Sequence, residues 1–111
     1  MKILITENKR YQLAYKILDD VLERLTREDY DLNRGKDSVF SNHQILFDDK
    51  NGKTVMRYTE KYDRLEVKDD IWEPLRMFSF SNEELESVIH WWFKDRIRIE
   101  PDTVYLVGYY D

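Results

Sequence analysis

From Tyr11 onward the apolar residues recur at helical spacing: Tyr11, Ala14, Tyr15, Leu18, Val21, Leu22 and Leu25 stand three and four apart. Leu13 and Ile17 widen the stripe, while Asp19, Asp20, Glu23, Arg24 and Arg27 fall largely off it. The spacing predicts an amphipathic helix over residues 7–27, with Thr6 or Asn8 as its cap. Ahead of it, residues 2–5 form a short apolar run that reads as an edge strand.

The period then changes to two. Asn51-Gly52 between two alternating runs predicts a hairpin with a two-residue turn. That turn sets Phe47 against Met56, Ile45 against Tyr58 and His43 against Glu60. Lys50 then meets Lys53, a small like-charge cost at a solvated tip. A third strand is expected over 64–68, with Leu65 beside Tyr58, Val67 beside Met56, and Arg57 across from Glu66. Residues 29–42 show no clear period, and 33–37 read as a turn. Residues 69–80 carry Ile71, Trp72, Leu75, Met77, Phe78 and Phe80. They read as an irregular connection or a strand that packs on the body.

Ser81 followed by Glu84 is a capping box. Leu85, Val88, Ile89, Trp92 and Phe93 follow at helical spacing, so a second helix is predicted to end near Arg96. After the turn at Pro101-Asp102, residues 103–110 are β-branched and aromatic. Val104-Tyr105-Leu106-Val107 is apolar on both faces, which predicts a final strand central in the sheet. The fold expected is α+β: an antiparallel sheet of about four strands packed by two amphipathic helices, in the order (β)αβββαβ.

Length sharpens this to one domain over residues 1–111. Aromatic residues make up 14% of the chain, enough for an aromatic-rich core and too many for a disordered one. The net charge of −5 argues against nucleic acid as the main partner, because phosphate binding needs a basic field. There is no Cys, which excludes disulfides, thiol chemistry and Cys-ligated metals. No signal peptide or membrane-length apolar run is evident, so the expectation is a cytoplasmic protein with no membrane partner.

Candidate chemistry is sparse. Glu66-Val67-Lys68, with Asp48 or Asp49 upstream, resembles the acid-x-Lys motif of the PD-(D/E)xK nucleases. That resemblance implies two acids on a divalent metal and a Lys positioning water. The expected register opposes it. Asp48 and Glu66 fall on strands two spacings apart, about 9–10 Å, whereas magnesium ligands sit about 2 Å from the ion. The Pro of that motif is also missing. His43 and His90 have no helix-borne zinc spacing, and neither a serine nucleophile motif nor a glycine-rich phosphate loop is present. The sequence therefore leans away from an enzyme, with no cofactor and no metal expected.

Acidic pairs recur at Asp19-Asp20, Glu28-Asp29, Asp48-Asp49, Asp69-Asp70 and Glu83-Glu84. They permit an acidic mimic of nucleic acid, or simply serve solubility and capping. Trp91 lies about 100° around the helix from the core residue Trp92. Trp91, Trp72, Tyr105, Tyr109 and Tyr110 are thus the candidate interface, since Trp and Tyr are favoured at hot spots. The partner implied is another protein or a second copy of this chain.

The opening Met1-Lys2-Ile3-Leu4-Ile5-Thr6-Glu7, running at once into an amphipathic helix, resembles small accessory proteins of tailed phages. The resemblance covers these seven residues and supplies no catalytic position. It implies a small accessory protein of unassigned activity made in an infected bacterial host; taken with the aromatic candidates, the expectation is an interaction module in the host cytoplasm that binds a host or virion protein.

Overall fold

The computed structural model describes residues 7–31 and 43–109. The element order is α1 (Glu7–Leu22), β1 (Thr26–Asp31), β2 (His43–Asp48), β3 (Thr54–Thr59), a 3₁₀ turn (Glu60–Tyr62), β4 (Arg64–Val67), α2 (Asp69–Trp72), a 3₁₀ segment (Glu73–Phe78), α3 (Asn82–Ile97) and β5 (Thr103–Leu106). The expected strand at 2–5, the cap at Thr6, the turn at 33–37 and Tyr110 lie outside the described residues. Asn8 lies within α1 and so does not cap it.

The five strands form one mixed sheet in sequence order, β1-β2-β3-β4-β5. Strands β1 to β4 are antiparallel neighbours, and β5 joins β4 in parallel. The class is α+β as expected, with one more strand, one more helix and one parallel pair. The parallel pair follows from the crossover, since α2, the 3₁₀ segment and α3 carry the chain back to the level where β4 begins, with Thr103 beside Arg64.

The meander has the register that alternation implies. Ile45 faces Tyr58, Phe47 faces Met56, Leu65 faces Tyr58, Val67 faces Met56, and Arg57 faces Glu66. The turn differs by one residue. Asp49 N–H donates to Lys53 O at 2.8 Å, which encloses a three-residue loop. Gly52 N–H donates to Asp49 O at 3.0 Å, and Gly52 sits at φ 81. A turn followed by a left-handed residue is the three-residue alternative for such a hairpin. The Asp49 carboxylate selects it, accepting from Asn51 N and Lys53 N at 2.9 and 3.0 Å. Lys53 then reaches Asp70 at 3.0 Å, away from Lys50.

Helix α1 stops at Leu22, short of the expected residue 27. Its last bonds tighten to i→i−3, from Arg24 N to Val21 O and Leu25 N to Leu22 O. The chain then enters β1. Strand β1 gives no sequence signal because Thr-Arg-Glu-Asp-Tyr-Asp has no alternation. Its charged side chains suit an exposed sheet edge.

One core collects the inner face of the sheet and the helices. Ile45, Phe47, Met56, Tyr58, Leu65, Val67, Val104 and Leu106 meet Ala14, Leu18 and the α3 stripe Leu85, Val88, Ile89, Trp92 and Phe93. Phe93 rings lie 6.0 Å from both Phe47 and Tyr58. The segment expected to pack irregularly at 69–80 does so as α2 and the 3₁₀ turns, burying Ile71, Trp72, Leu75 and Phe80. Among the described residues strand β5 stands last in the sheet, beside β4, where a central place was expected. Its apolar side chains split, with Val104 and Leu106 buried and Tyr105 exposed. Among the described residues no helix is long and apolar enough to cross a membrane.

Candidate functional site

The capping box at Ser81 forms as its spacing requires. Ser81 Oγ accepts from Glu84 N, and Glu84 Oε1 accepts from Ser81 N, both at 3.1 Å. This start fixes the rotation of α3 and turns Trp92 inward. Trp91, one position earlier, remains 47% exposed.

Trp91 forms a ridge between two hollows. One, of about 320 Å³, lies between α1 and α3 and is lined by Tyr11, Gln12, Tyr15, Val88 and Trp91. The other, of about 350 Å³, lies between α3 and the β5 edge, lined by Glu83, Glu86, His90, Trp91, Asp102 and Val104 among others. The Lys94 ammonium stands 4.9 Å from the Trp91 ring centroid and 3.3 Å from Glu100. His90 meets Trp91 edge-on at 4.8 Å, and its Nε2 is 3.4 Å from Glu100. Burial, with Glu83 nearby, pushes the Glu86 carboxyl above its ordinary range.

A polar seam holds the α1 side of this ridge. Arg10 pairs with Glu84 at 3.1 Å, and the Tyr15 hydroxyl donates to Asp95 at 3.1 Å. Asp19 accepts from Trp92 Nε1 and from Arg96. Burial, reinforced by Asp95, raises the Tyr15 phenol to about 12. No short-range sequence signal marks this seam, because its partners lie more than seventy positions apart.

The aromatic candidates do not converge. Trp72 is 2% exposed, its indole N–H donates to Val107 O at 3.0 Å, and Tyr109 packs edge-on against it at 5.3 Å. Trp72 thus anchors the turn after β5 from inside the core and offers no surface. Tyr105 is 40% exposed. It lies on the sheet face opposite the helices, in register with Glu66. Trp91 and Tyr105 therefore flank β5 from the two faces of the sheet.

The acid-x-Lys residues lie on that outer face. Glu66 pairs with Arg57 at 3.3 Å and Arg64 at 3.8 Å. Lys68 joins Glu66 along a shallow hollow of about 150 Å³. Asp48 accepts from Thr54 Oγ1 at 2.6 Å, and β3 stands between its strand and that of Glu66. Among the described residues no cluster of three His, Asp or Glu can hold a metal ion. The acidic pairs are dispersed over α1, β1, the hairpin, α2 and α3, and several members are taken by cations: Asp19 by Arg96, Asp29 by Arg27, Asp70 by Lys53 and Glu84 by Arg10.

No protein-family model, curated protein or solved structure matches this chain.

Proposed function

We propose that the protein is a non-enzymatic interaction module, an accessory protein of the tailed-phage kind that binds another protein in the host cytoplasm. The observation that carries this reading is Trp91. A large apolar side chain on a well-capped helix stands half in water between two hollows, while the apolar stripe of the same helix, Leu85, Val88, Ile89, Trp92 and Phe93, is buried in the core. An exposed Trp beside concave ground is the usual centre of a protein contact.

The dispersal of the carboxylates favours this reading over a nucleic-acid mimic, which needs them along one face. The pairing of Glu66 with Arg57 and Arg64 favours it over a metal nuclease, whose acids must be free for the ion.

The test is Trp91→Ala, with its melting curve as a check on the fold. A host or virion protein that co-purifies stoichiometrically with the native protein, and is lost with the variant, supports the reading. Unchanged association in the folded variant removes Trp91 from the contact. Magnesium-dependent cleavage abolished by Glu66→Ala would replace the reading with the nuclease.

A further inference from the structure

Away from the Trp91 ridge, a hollow of about 370 Å³ opens where the end of α1, the β2–β3 hairpin and α2 meet. Its wall is apolar. Val21 and Leu25 are half-buried there, and the buried side chains of Val55 and Ile71 close the base. The hollow stands at the hairpin end of β1 and β2, where Thr26 is in register with Asp48. Asp31 and His43, between which the described chain is interrupted, stand at the opposite end of those strands.

The rim is charged, and its charges are unequally used. Asp49 accepts from Asn51 N and Lys53 N at 2.9 and 3.0 Å, and Asp70 is held by Lys53 Nζ at 3.0 Å. Both carboxylates are therefore engaged in holding the hairpin. Arg24 and Lys50 line the same hollow and are exposed, and neither is paired with a carboxylate among the described residues. Two uncommitted cations thus border an apolar hollow.

We propose that this hollow binds a small organic acid with an apolar tail, the tail lying on Val21 and Leu25 and the carboxylate between Arg24 and Lys50. The site is separate from the Trp91 contact and does not depend on it.

Size and charge both select that class. Small-ligand sites run from about 300 Å³ upward and join an apolar wall to a few polar groups that fix orientation. The Arg24 guanidinium offers a two-pronged donor to a carboxylate, and the Lys50 ammonium adds a point charge. An alcohol with the same tail would keep the apolar contact and lose both attractions. An amine would meet both cations as like charges, while the carboxylates nearby are already engaged. Both cations stand in water, so each contributes modestly, and the expected dissociation constant is on the order of 1 mM.

The experiment is an amide NMR titration of the full chain with octanoate, octan-1-ol, octylammonium and acetate. It is run on the native protein, R24Q, K50Q and the double variant R24Q/K50Q. Both positions are exposed, so the variants are expected to keep native spectra. The proposal predicts saturable octanoate shifts centred on the amides of Val21, Leu25, Lys50 and Ile71. The alcohol and the amine should bind about fivefold more weakly or worse, and acetate should leave these amides unmoved. Each single variant should weaken octanoate about threefold, and the double variant about tenfold. The absence of a saturable shift at these amides overturns the site. So does equal binding of octan-1-ol, octylammonium or acetate, or an unchanged affinity in the double variant. Octanoate shifts confined to Trp91 overturn it as well, by placing the ligand on the other side of α1. None of these failures touches the association assay with Trp91→Ala, so the interaction reading stands or falls separately.

Discussion

Asp19 of α1 and Trp92 of α3, 73 positions apart, are joined by a 2.9 Å hydrogen bond from the indole N–H to Oδ1. Arg96 clamps the same carboxylate at 2.8 and 3.0 Å. Trp92 is only 1% exposed, so its N–H has no ready substitute in water. Asp19→Ala is expected to cost about 2–3 kcal/mol, because it strands a buried donor. Asp19→Asn keeps an acceptor and is expected to cost about 1 kcal/mol. Urea melts of the two variants check the order.

The same contact has an acid signature. The Arg96 bond, opposed by burial and aided by Trp92, holds the Asp19 carboxyl below its ordinary range. A depressed folded value means that the contribution is present above the unfolded pKa of about 3.9 and is lost as pH falls through the folded value. Stability measured from about pH 5 downward is expected to fall less steeply in Asp19→Asn than in the native protein.

The α3 cap makes a narrower prediction. Ser81→Ala removes the acceptor for Glu84 N and is expected to cost about 1 kcal/mol, while Ser81→Gly costs a few tenths. Glu84 also pairs with Arg10 of α1, so the capping box steadies the helix-helix seam as well. Chemical denaturation of the two variants measures the difference. A Ser81→Ala variant as stable as the native protein would show that the Oγ bond contributes little.

The features legible in the sequence are those set by neighbours along the chain. Alternation around Phe47, Met56, Leu65 and Val67 fixed the meander register, because a slip of one residue would turn each to water. Ser81, Glu84 and the stripe to Phe93 located α3 for the same local reason. Strand β1 was not legible because Arg27 and Asp29 stand charged and exposed at positions in register with Phe47 and Ile45, and only pairing with β2 makes them a strand. Nor did apolar content reveal the place of Val104 and Leu106. Two apolar faces suggested a central strand, but Val104 and Leu106 bury one face against the helices while Tyr105 on the other stays exposed. Trp91 and Trp72 were equal candidates by composition. Their separation depends on the rotation of α3 and on a Trp72 bond to Val107, 35 positions away.

At the hairpin, Gly52 adopts φ 81 with open space where a Cβ would stand. The cost of a side chain there is conformational and not a clash. Gly52→Ala is expected to destabilise by about 1–2 kcal/mol, and Gly52→Asn by less, since Asn tolerates the left-handed region. A Gly52→Ala melt equal to the native one would show that the loop relaxes to another turn, which exchange at the Lys53 amide would register.

The alkaline limb tests the other side of the helix seam. Tyr15 is pushed up to about 12 by burial, then by its bond to Asp95 and that carboxylate's charge, against a smaller opposing pull from Arg96. Tyr58 is raised in the same direction by burial and by its bond to Asp63. A phenol held protonated by the fold contributes stability that is fully present below its unfolded pKa of about 10 and lost as pH rises through the folded value. Tyrosinate absorbance is therefore expected to show a late stage to which Tyr15 and Tyr58 contribute. Tyr15→Phe should remove one residue from that stage and cost only about 1 kcal/mol at neutral pH, where a single exposed hydrogen bond is lost. It should also leave stability less sensitive between about pH 10 and 12. Native-like sensitivity in Tyr15→Phe would place the alkaline transition on Tyr58 and its Asp63 contact, away from the seam between α1 and α3.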